Sequence, residues 1–295
     1  MSLSGLILLD KPSGITSNKA LQIVKHLYKA KKAGHTGSLD PLATGMLPIC
    51  FGEATKFSQF MLDADKHYFA TAKLGVKTDT SDSEGNIIET KPVKDISPEK
   101  IENILKKFRG VILQKPSMFS ALKYKGKPLY ELARKGIEVE RKKREITIYK
   151  LNLIDLKDET FSIDVHSSKG TYIRNLVEDI GDALGCGAHV TALRRYQSGH
   201  FMQDQMTPLS VLEDMKEGDG ALEELLLPID SLVQGIPTLA LTSDESRAIC
   251  HGQSIFRKNL PDSQVIRLYS AENNFLGVAN IHDNSRIAPK RLVSL

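Results

Sequence analysis

No apolar run in the chain approaches the roughly 20 residues that a membrane-spanning helix needs, so nothing in it reads as a bilayer span. The stretch Met1 to Asp10 is apolar but short. It lacks a basic leader and runs straight into a helix-like pattern, so it reads as a strand and not as a signal peptide. A cytoplasmic protein is the expectation. Only three cysteines occur, Cys50, Cys186 and Cys250, an odd number at wide spacing with no CxxC pair. That speaks against a disulfide framework and a cysteine zinc site and leaves three reduced, mostly buried thiols. Neither a GxGxxG nor a GxxxxGK motif is present, so no nucleotide-cofactor site has a motif behind it. Internal repeats and low-complexity tracts are also missing.

What the chain does have is an ordinary globular composition, 41% hydrophobic and 26% charged over 295 residues, enough for one large domain and a small one. Its net charge of +4 is unevenly placed. Residues 115–150 hold eleven Lys or Arg against four Glu, a net +7, so the remainder carries −3. A concentrated basic segment on a near-neutral body suits an anionic partner; a solvated charged loop is the other reading. Residues 5–9 read as a buried strand, and Ser17 as the cap of a helix with Ala20, Ile23, Val24 and Leu27 on one face. Residues 33–45 read as a loop, Met46 to Phe51 as a strand, and a short helix follows from about Glu53. Residues 66–75 and 161–167 alternate as strands, 77–98 read as a long surface loop, and 98–109 as a capped helix led by Ser-Pro. Thr171 opens a helix with Tyr172, Leu176, Val177, Ile180 and Leu184 on one face, closed by Gly185. Residues 188–197 return to strand, 204–230 are acidic and helix-prone, and Pro228 to Pro237 reads as a linker. The short strand-like runs Ser254–Phe256, Val265–Tyr269 and Phe275–Asn280 suit a small β-barrel. Helices and strands that do not alternate regularly predict an α+β fold, divided as residues 1–233 and 234–295.

Residues 34–45 are the most informative stretch. Three glycines and a proline within twelve residues specify a shaped backbone, and Asp40 sits inside it before Pro41. A residue preceding proline is pushed out of the helical region, so Asp40 is held extended. Asp-Pro also starts Asx turns, and on residue types alone the turn reading is the stronger one.

The run Gly34-His35-Thr36-Gly37-Ser38-Leu39-Asp40-Pro41-Leu42-Ala43-Thr44-Gly45 closely resembles the catalytic motif of the tRNA pseudouridine synthase B family, which modifies uridine 55. The resemblance continues, in the family's order, at Leu9 to Ser17, at Lys66-His67-Tyr68, at Lys169 to Arg174, at Gly187 to Val190 and at Leu193-Arg194-Arg195. It covers most of residues 5–200. It implies a mixed, largely antiparallel sheet in a catalytic domain of pseudouridine-synthase type, with a small RNA-binding barrel of PUA type at the end, to which His251–Ile255 and Gly277–Ala279 are similar. It further implies that Asp40 is the nucleophile, or the carboxylate enabling glycosidic cleavage and rejoining at C5, and that Arg174 pairs with it. Tyr68 would stack on the extruded uracil, Tyr172 and Leu193 would wall the pocket, and His35 would fill or prop the space the base leaves. Lys11 and Pro12 would support the loop. Singly, each has a bland reading as a packed or surface side chain; as an ordered set the functional reading prevails.

The chemistry fits these residue types. The base must leave its stack, at a few kcal/mol, and an aromatic face can receive it at about 1–3 kcal/mol. An isomerisation needs a nucleophile and proton transfers, with no metal, redox centre or other cofactor expected. The basic segment resembles the family's insertion that closes over the T loop, with Lys115, Lys123, Lys125, Lys127, Arg141 and Lys142 as candidate phosphate contacts; for Arg141–Arg144 a solvated strand end is an equal reading. The expected partner is the T stem-loop of tRNA, with no membrane and no obligatory protein partner, and the chain is taken as a monomer. An RNA-binding or tRNA-folding protein without turnover is the alternative from another class. An RNA-guided subunit acting on ribosomal RNA is a third reading. A glycosidase is remote, because it needs two opposed carboxylates.

Overall fold

The computed structural model describes residues 3–294 except 121, 218–220 and 284; the start of the N-terminal stretch, Met1 and Ser2, and Ala121 of the basic segment lie outside the described residues. The elements run β1 (Gly5–Lys11), α1 (Ser17–Leu27), β2 (Ala33–His35), β3 (Thr44–Phe51), a 3-10 turn (Gly52–Phe57), α2 (Ser58–Leu62), β4 (Lys66–Leu74), β5 (Val76–Thr78) and β6 (Ile87–Thr90). Then come α3 (Pro98–Leu105), β7 (Gly110–Gln114), β8 (Lys123–Tyr124), β9 (Lys127–Pro128), α4 (Leu129–Ala133), β10 (Arg144–Lys157), β11 (Thr160–Ser167), α5 (Ile173–Leu184) and β12 (Ala188–Ser198). The chain ends with β13 (Thr207–Pro208), α6 (Leu209–Glu217), β14 (Thr238–Ala240), α7 (Ser243–Cys250), β15 (Ile255–Phe256), β16 (Val265–Tyr269), β17 (Phe275–His282) and β18 (Arg286–Leu292).

A nine-stranded sheet, ordered β13-β1-β3-β12-β4-β11-β10-β7 with β2 beside β3, forms the body. It is mixed: β1–β13 and β12–β3 are parallel and the other pairs antiparallel. Period-2 patterning puts Ala70, Ala72, Phe161, Ile163 and Val165 on one face, where Ala20 and Val24 of α1, Ile101 and Leu105 of α3 and Leu176, Val177 and Ile180 of α5 cover them. On the other face, Leu6, Leu8, Met46 and Cys50 pack on Phe57, Met61, Phe201, Leu232, Val233 and Val278. The C-terminal sheet, β14-β16-β17-β18-β15, is a curled half barrel with its own core of Ile249, Ile266, Leu268, Ala279 and Ile287. The α+β class therefore stands.

Several local expectations are corrected. Thr16, not Ser17, caps α1, accepting from the Lys19 amide at 3.1 Å; Ser17 is buried and bonded elsewhere. Residues 33–35 are a short edge strand, because β3 offers them a paired edge. The expected loop 77–98 contains the β5–β6 hairpin, whose exposed Ile87 and Ile88 give no alternation to read. Helix α5 starts at Ile173, after Tyr172, while the Thr171 hydroxyl turns back to the Ser168 carbonyl. The expected linker holds a 3-10 turn (Ile229–Val233) that is anchored by buried Leu232 and Val233. Among the cysteines, Cys250 is exposed. No described helix is long and apolar enough to cross a membrane.

Two connections position the site. The basic segment leaves the sheet from β7 and returns as β10, with Gln114 and Arg144 directly paired in the ladder, so it is an excursion from the sheet's edge hairpin. The loop 36–43 bridges β2 to β3 and is thereby suspended between neighbouring strands.

Candidate active site

The loop's backbone is closed by a turn in which the Ala43 amide donates to the Asp40 carbonyl at 3.1 Å. The backbone does turn at Asp-Pro, but through its own carbonyl and not as an Asx turn made by the side chain. The side chain does something else: it forms a forked ion pair with Arg174, Nε to Oδ2 at 2.8 Å and NH2 to Oδ1 at 3.1 Å. Arg174 lies on the first turn of α5 with a side chain 5% exposed, whereas the Asp40 side chain is 37% exposed, opening into the pockets described below. The rest of the guanidinium is used as well. It donates to the Thr80 carbonyl at 2.7 Å and the Phe119 carbonyl at 2.9 Å, and NH1 lies 3.3 Å from the buried Asp82 carboxylate. Asp82 is fixed in turn by the Thr80 hydroxyl at 2.6 Å and the Glu84 amide at 3.0 Å. A bidentate fork of this kind sets direction as well as charge. Burial pushes the Asp40 carboxyl above its usual range; Arg174 opposes this and Asp82 adds to it.

Asp40 stands at the meeting of two pockets. One, of about 300 Å³, is lined by Tyr68, Tyr172, Leu193, Lys66, Arg174 and Arg195. Tyr68 is opposite Arg195 in the β4–β12 ladder, and Leu193 lies two residues earlier on the same face, so one patch of sheet makes the wall. Tyr172 is held by a double hydrogen bond to the Gln114 amide, its N–H donating at 2.9 Å and its carbonyl accepting at 3.0 Å. The second pocket, of about 680 Å³, is lined by His35, Asn18, Thr80, Glu84, Phe119 and Tyr130. His35 therefore lines one pocket and Tyr68 the other, with Asp40 in both. The buried Nδ1 of His35 has no partner among the described residues, and burial, reinforced by Arg195, lowers its pKa and keeps the ring neutral at pH 7.

Buried cations support the floor. Lys11 is fully buried and donates to the carbonyls of Pro12 and Ile15 at 2.7 Å and Pro41 at 3.3 Å; burial lowers its pKa to about 8. Lys66 caps the end of α2 through the carbonyls of Met61 and Leu62, and burial lowers its pKa to about 8. Arg195, 1% exposed, donates to the carbonyls of Met46 at 2.7 Å and Gly37 at 3.0 Å. Among the described residues no carboxylate lies within ion-pair distance of Arg195. No described group of His, Cys, Asp or Glu is arranged to hold a metal ion.

The structure thus brings Asp40, Arg174, Tyr68, Tyr172, Leu193 and His35 together. The basic candidates divide. Lys115, Lys123, Lys125, Lys127 and Lys142 are exposed, whereas Arg141 is turned inward, to the Pro116 carbonyl at 3.0 Å and Glu138 at 2.9 Å. Sequence reasoning missed Asp82 and Gln114, ordinary polar residues in a turn-rich stretch and at a strand end, with no local signal. It gave Arg195 no role, although two-residue periodicity from Leu193 puts it on the pocket face.

Three family models match the chain between residues 25 and 293. Residues 25–173 match the N-terminal domain of the TruB family of pseudouridylate synthases. The chain belongs to the TruB family. Residues 174–234 of this TruB-family chain match the tRNA pseudouridylate synthase B C-terminal domain, and residues 237–293 match the C-terminal unit of pseudouridine synthase II TruB. It is 53% identical over 293 residues to a tRNA pseudouridine synthase B of Coxiella burnetii, covering 98% of this chain and 94% of the relative. It is 52% identical over 300 residues to that of Tolumonas auensis, covering 99% and 92%. Among solved structures, a chain of a Cbf5-Nop10-Gar1 complex superimposes with a TM-score of 0.72 at 26% identity, covering 95% of this TruB-family chain and 79% of that one. A chain of an H/ACA ribonucleoprotein bound to a substrate RNA shares the fold, with a TM-score of 0.74 at 22% identity, covering 99% and 85%.

Proposed function

We propose that this protein converts uridine 55 in the T arm of tRNA to pseudouridine, with Asp40 as its catalytic carboxylate. The observation that carries the reading is the Arg174–Asp40 fork at the mouth of a pocket walled by Tyr68, Tyr172 and Leu193, in a chain at least half identical to tRNA pseudouridine synthase B relatives over nearly its whole length.

The residues take their parts as follows. The target base, flipped out of the T loop, enters the 300 Å³ pocket and stacks on Tyr68. Asp40, aimed by Arg174, which favours its ionised form against the effect of burial, attacks C1′ of the ribose while the C1′–N1 bond breaks. The detached uracil turns in place, C5 bonds to C1′ as the bond from Asp40 to C1′ breaks and restores the carboxylate, and the proton lost at C5 is balanced by one gained at N1. Nothing is oxidised or reduced and no cofactor enters. His35, neutral and lining the neighbouring pocket, occupies the space the base vacates.

Residues 1–233 are the catalytic unit, and residues 234–295 add a PUA-like surface for RNA. The exposed lysines of the insertion meet backbone phosphates. The enzyme works in the cytoplasm without an obligatory protein partner.

The test is the pseudouridine content of an unmodified T-arm stem-loop after incubation with purified wild type or Asp40→Asn, with no cofactor added. Product from wild type alone is expected. Product from both overturns the assignment of Asp40, and tight binding without product from either favours an RNA-folding or partner-dependent protein.

A further inference from the structure

Freed from helix capping by Thr16, the Ser17 hydroxyl is turned into the protein, with Ser17 only 3% exposed. Its partners both belong to Leu39: Oγ accepts from the Leu39 amide at 2.7 Å and donates to the Leu39 carbonyl at 2.9 Å. That carbonyl is half of the peptide unit whose nitrogen is Asp40's own. A single buried hydroxyl therefore fixes the peptide plane to which the candidate carboxylate is attached.

The bond is one of three. At residues 37, 39 and 41 the loop backbone is held by three side chains from three different elements. The Gly37 carbonyl accepts from Arg195 on β12, Leu39 is clasped by Ser17 on α1, and the Pro41 carbonyl accepts from Lys11 on β1. The residues between them, Ser38 and Asp40, line the two pockets. Lys11 and Arg195 divide their donors between this loop and other carbonyls, Pro12 and Ile15 for one and Met46 for the other. Ser17 commits both of its hydrogen bonds to Leu39.

We propose that Ser17 is a positioning residue for the reaction: its hydroxyl locks the Leu39–Asp40 peptide so that the Asp40 carboxylate meets both Arg174 and the ribose carbon in register. This rests on the proposed synthase activity. Without the hydroxyl, a buried amide and a buried carbonyl lose their partner together, and the loop must shift to satisfy them. A displacement of about 1 Å at a reacting group can lower turnover on the order of 100-fold. The RNA-binding surface of the insertion is untouched, so affinity should not follow.

The experiment compares wild type, Ser17→Ala, Ser17→Cys and Ser17→Thr in single-turnover pseudouridine formation on a T-arm stem-loop. RNA Kd, the pH profile of the rate and thermal unfolding are measured alongside. Ser17→Cys fills the same space with a poor hydrogen-bonding group, so it reports on the bond if Ser17→Ala fails to fold. The expected result is a rate roughly 10- to 100-fold lower for Ala and Cys with Kd within twofold of wild type, partial recovery in Ser17→Thr, and an acid limb moved to higher pH as the Arg174 fork loosens. A rate within twofold of wild type in folded Ala or Cys protein overturns the proposal, as does a Kd that weakens in step with the rate. Absence of product from wild type itself would instead sink the synthase reading.

Discussion

Replacing Arg174 by lysine keeps the charge and removes the fork, which isolates what the fork contributes. In the structure the guanidinium serves five acceptors: both Asp40 oxygens, Asp82 and the carbonyls of Thr80 and Phe119. A lysine ammonium has three donors and no fixed plane, so at least two acceptors go unserved and the fixed two-bond fork to Asp40 is lost. A hydrogen bond to a charged group is worth about 1.5–3 kcal/mol. At 1.36 kcal/mol per decade, losing the second Asp40 bond lowers turnover by about 10- to 150-fold. The pH dependence gives a second reading. Burial raises the Asp40 pKa and Arg174 lowers it, and the reaction needs the ionised form, so activity falls as pH drops through that pKa. Arg174→Met removes the lowering influence and leaves Asp82 facing Asp40, so the acid limb moves to higher pH. It also leaves the buried Asp82 carboxylate without its cation, at about 3–5 kcal/mol of stability for a broken buried pair. The assay is single-turnover conversion of a T-arm stem-loop from pH 5 to 8, with thermal unfolding in parallel. A lysine variant within threefold of wild type, or an acid limb that stays fixed in folded Arg174→Met, refutes the reasoning.

Other outcomes follow from the same geometry. Substituting Lys123, Lys125 and Lys127 by alanine should weaken RNA binding and flatten the slope of log affinity against log salt by about 2 to 3, at 0.7–0.9 per phosphate contact, with turnover at saturation unchanged; an unaltered slope removes these lysines from the RNA. Arg141→Ala should behave differently, loosening the insertion by loss of its Pro116 and Glu138 bonds, which limited proteolysis will show as cleavage within 115–143 before any change in salt slope. Gly45 has φ +98°, and a Cβ there would overlap the Arg195 carbonyl oxygen, so Gly45→Ala should lose at least about 2 kcal/mol of stability by strain and overlap together, seen as a lowered unfolding midpoint. Gln114→Ala should reduce turnover by releasing Tyr172 while leaving affinity for RNA within a few fold.

What was legible in the sequence had strong periodicity or a long ordered motif. Strands β4 and β11 alternate residue by residue because one face packs against α3 and α5, and α5 shows its apolar stripe for the same reason. The pocket residues were legible only as a set in order. What escaped was non-local. Thr16 and Ser17 are interchangeable as caps on local grounds; the choice is made by Leu39, which the fold brings against one of them. Asp82 is one of several acidic residues in a turn-rich stretch until Arg174 arrives from α5. The strand β5 has only three residues and β6 is exposed throughout, so no alternation between faces is written into them.

The insertion leaves and rejoins the body at one ladder pair, Gln114 and Arg144, with the ends of the excursion held side by side as in any hairpin. Lengthening, shortening or exchanging what lies between them changes nothing in the register of the sheet. The exposed lysines at 123–127 can therefore change without disturbing the sheet, whereas Phe119, whose carbonyl accepts from Arg174, ties the start of the excursion to the site. Gln114, which belongs to the ladder and yet holds Tyr172, sets the same limit at the base of the excursion.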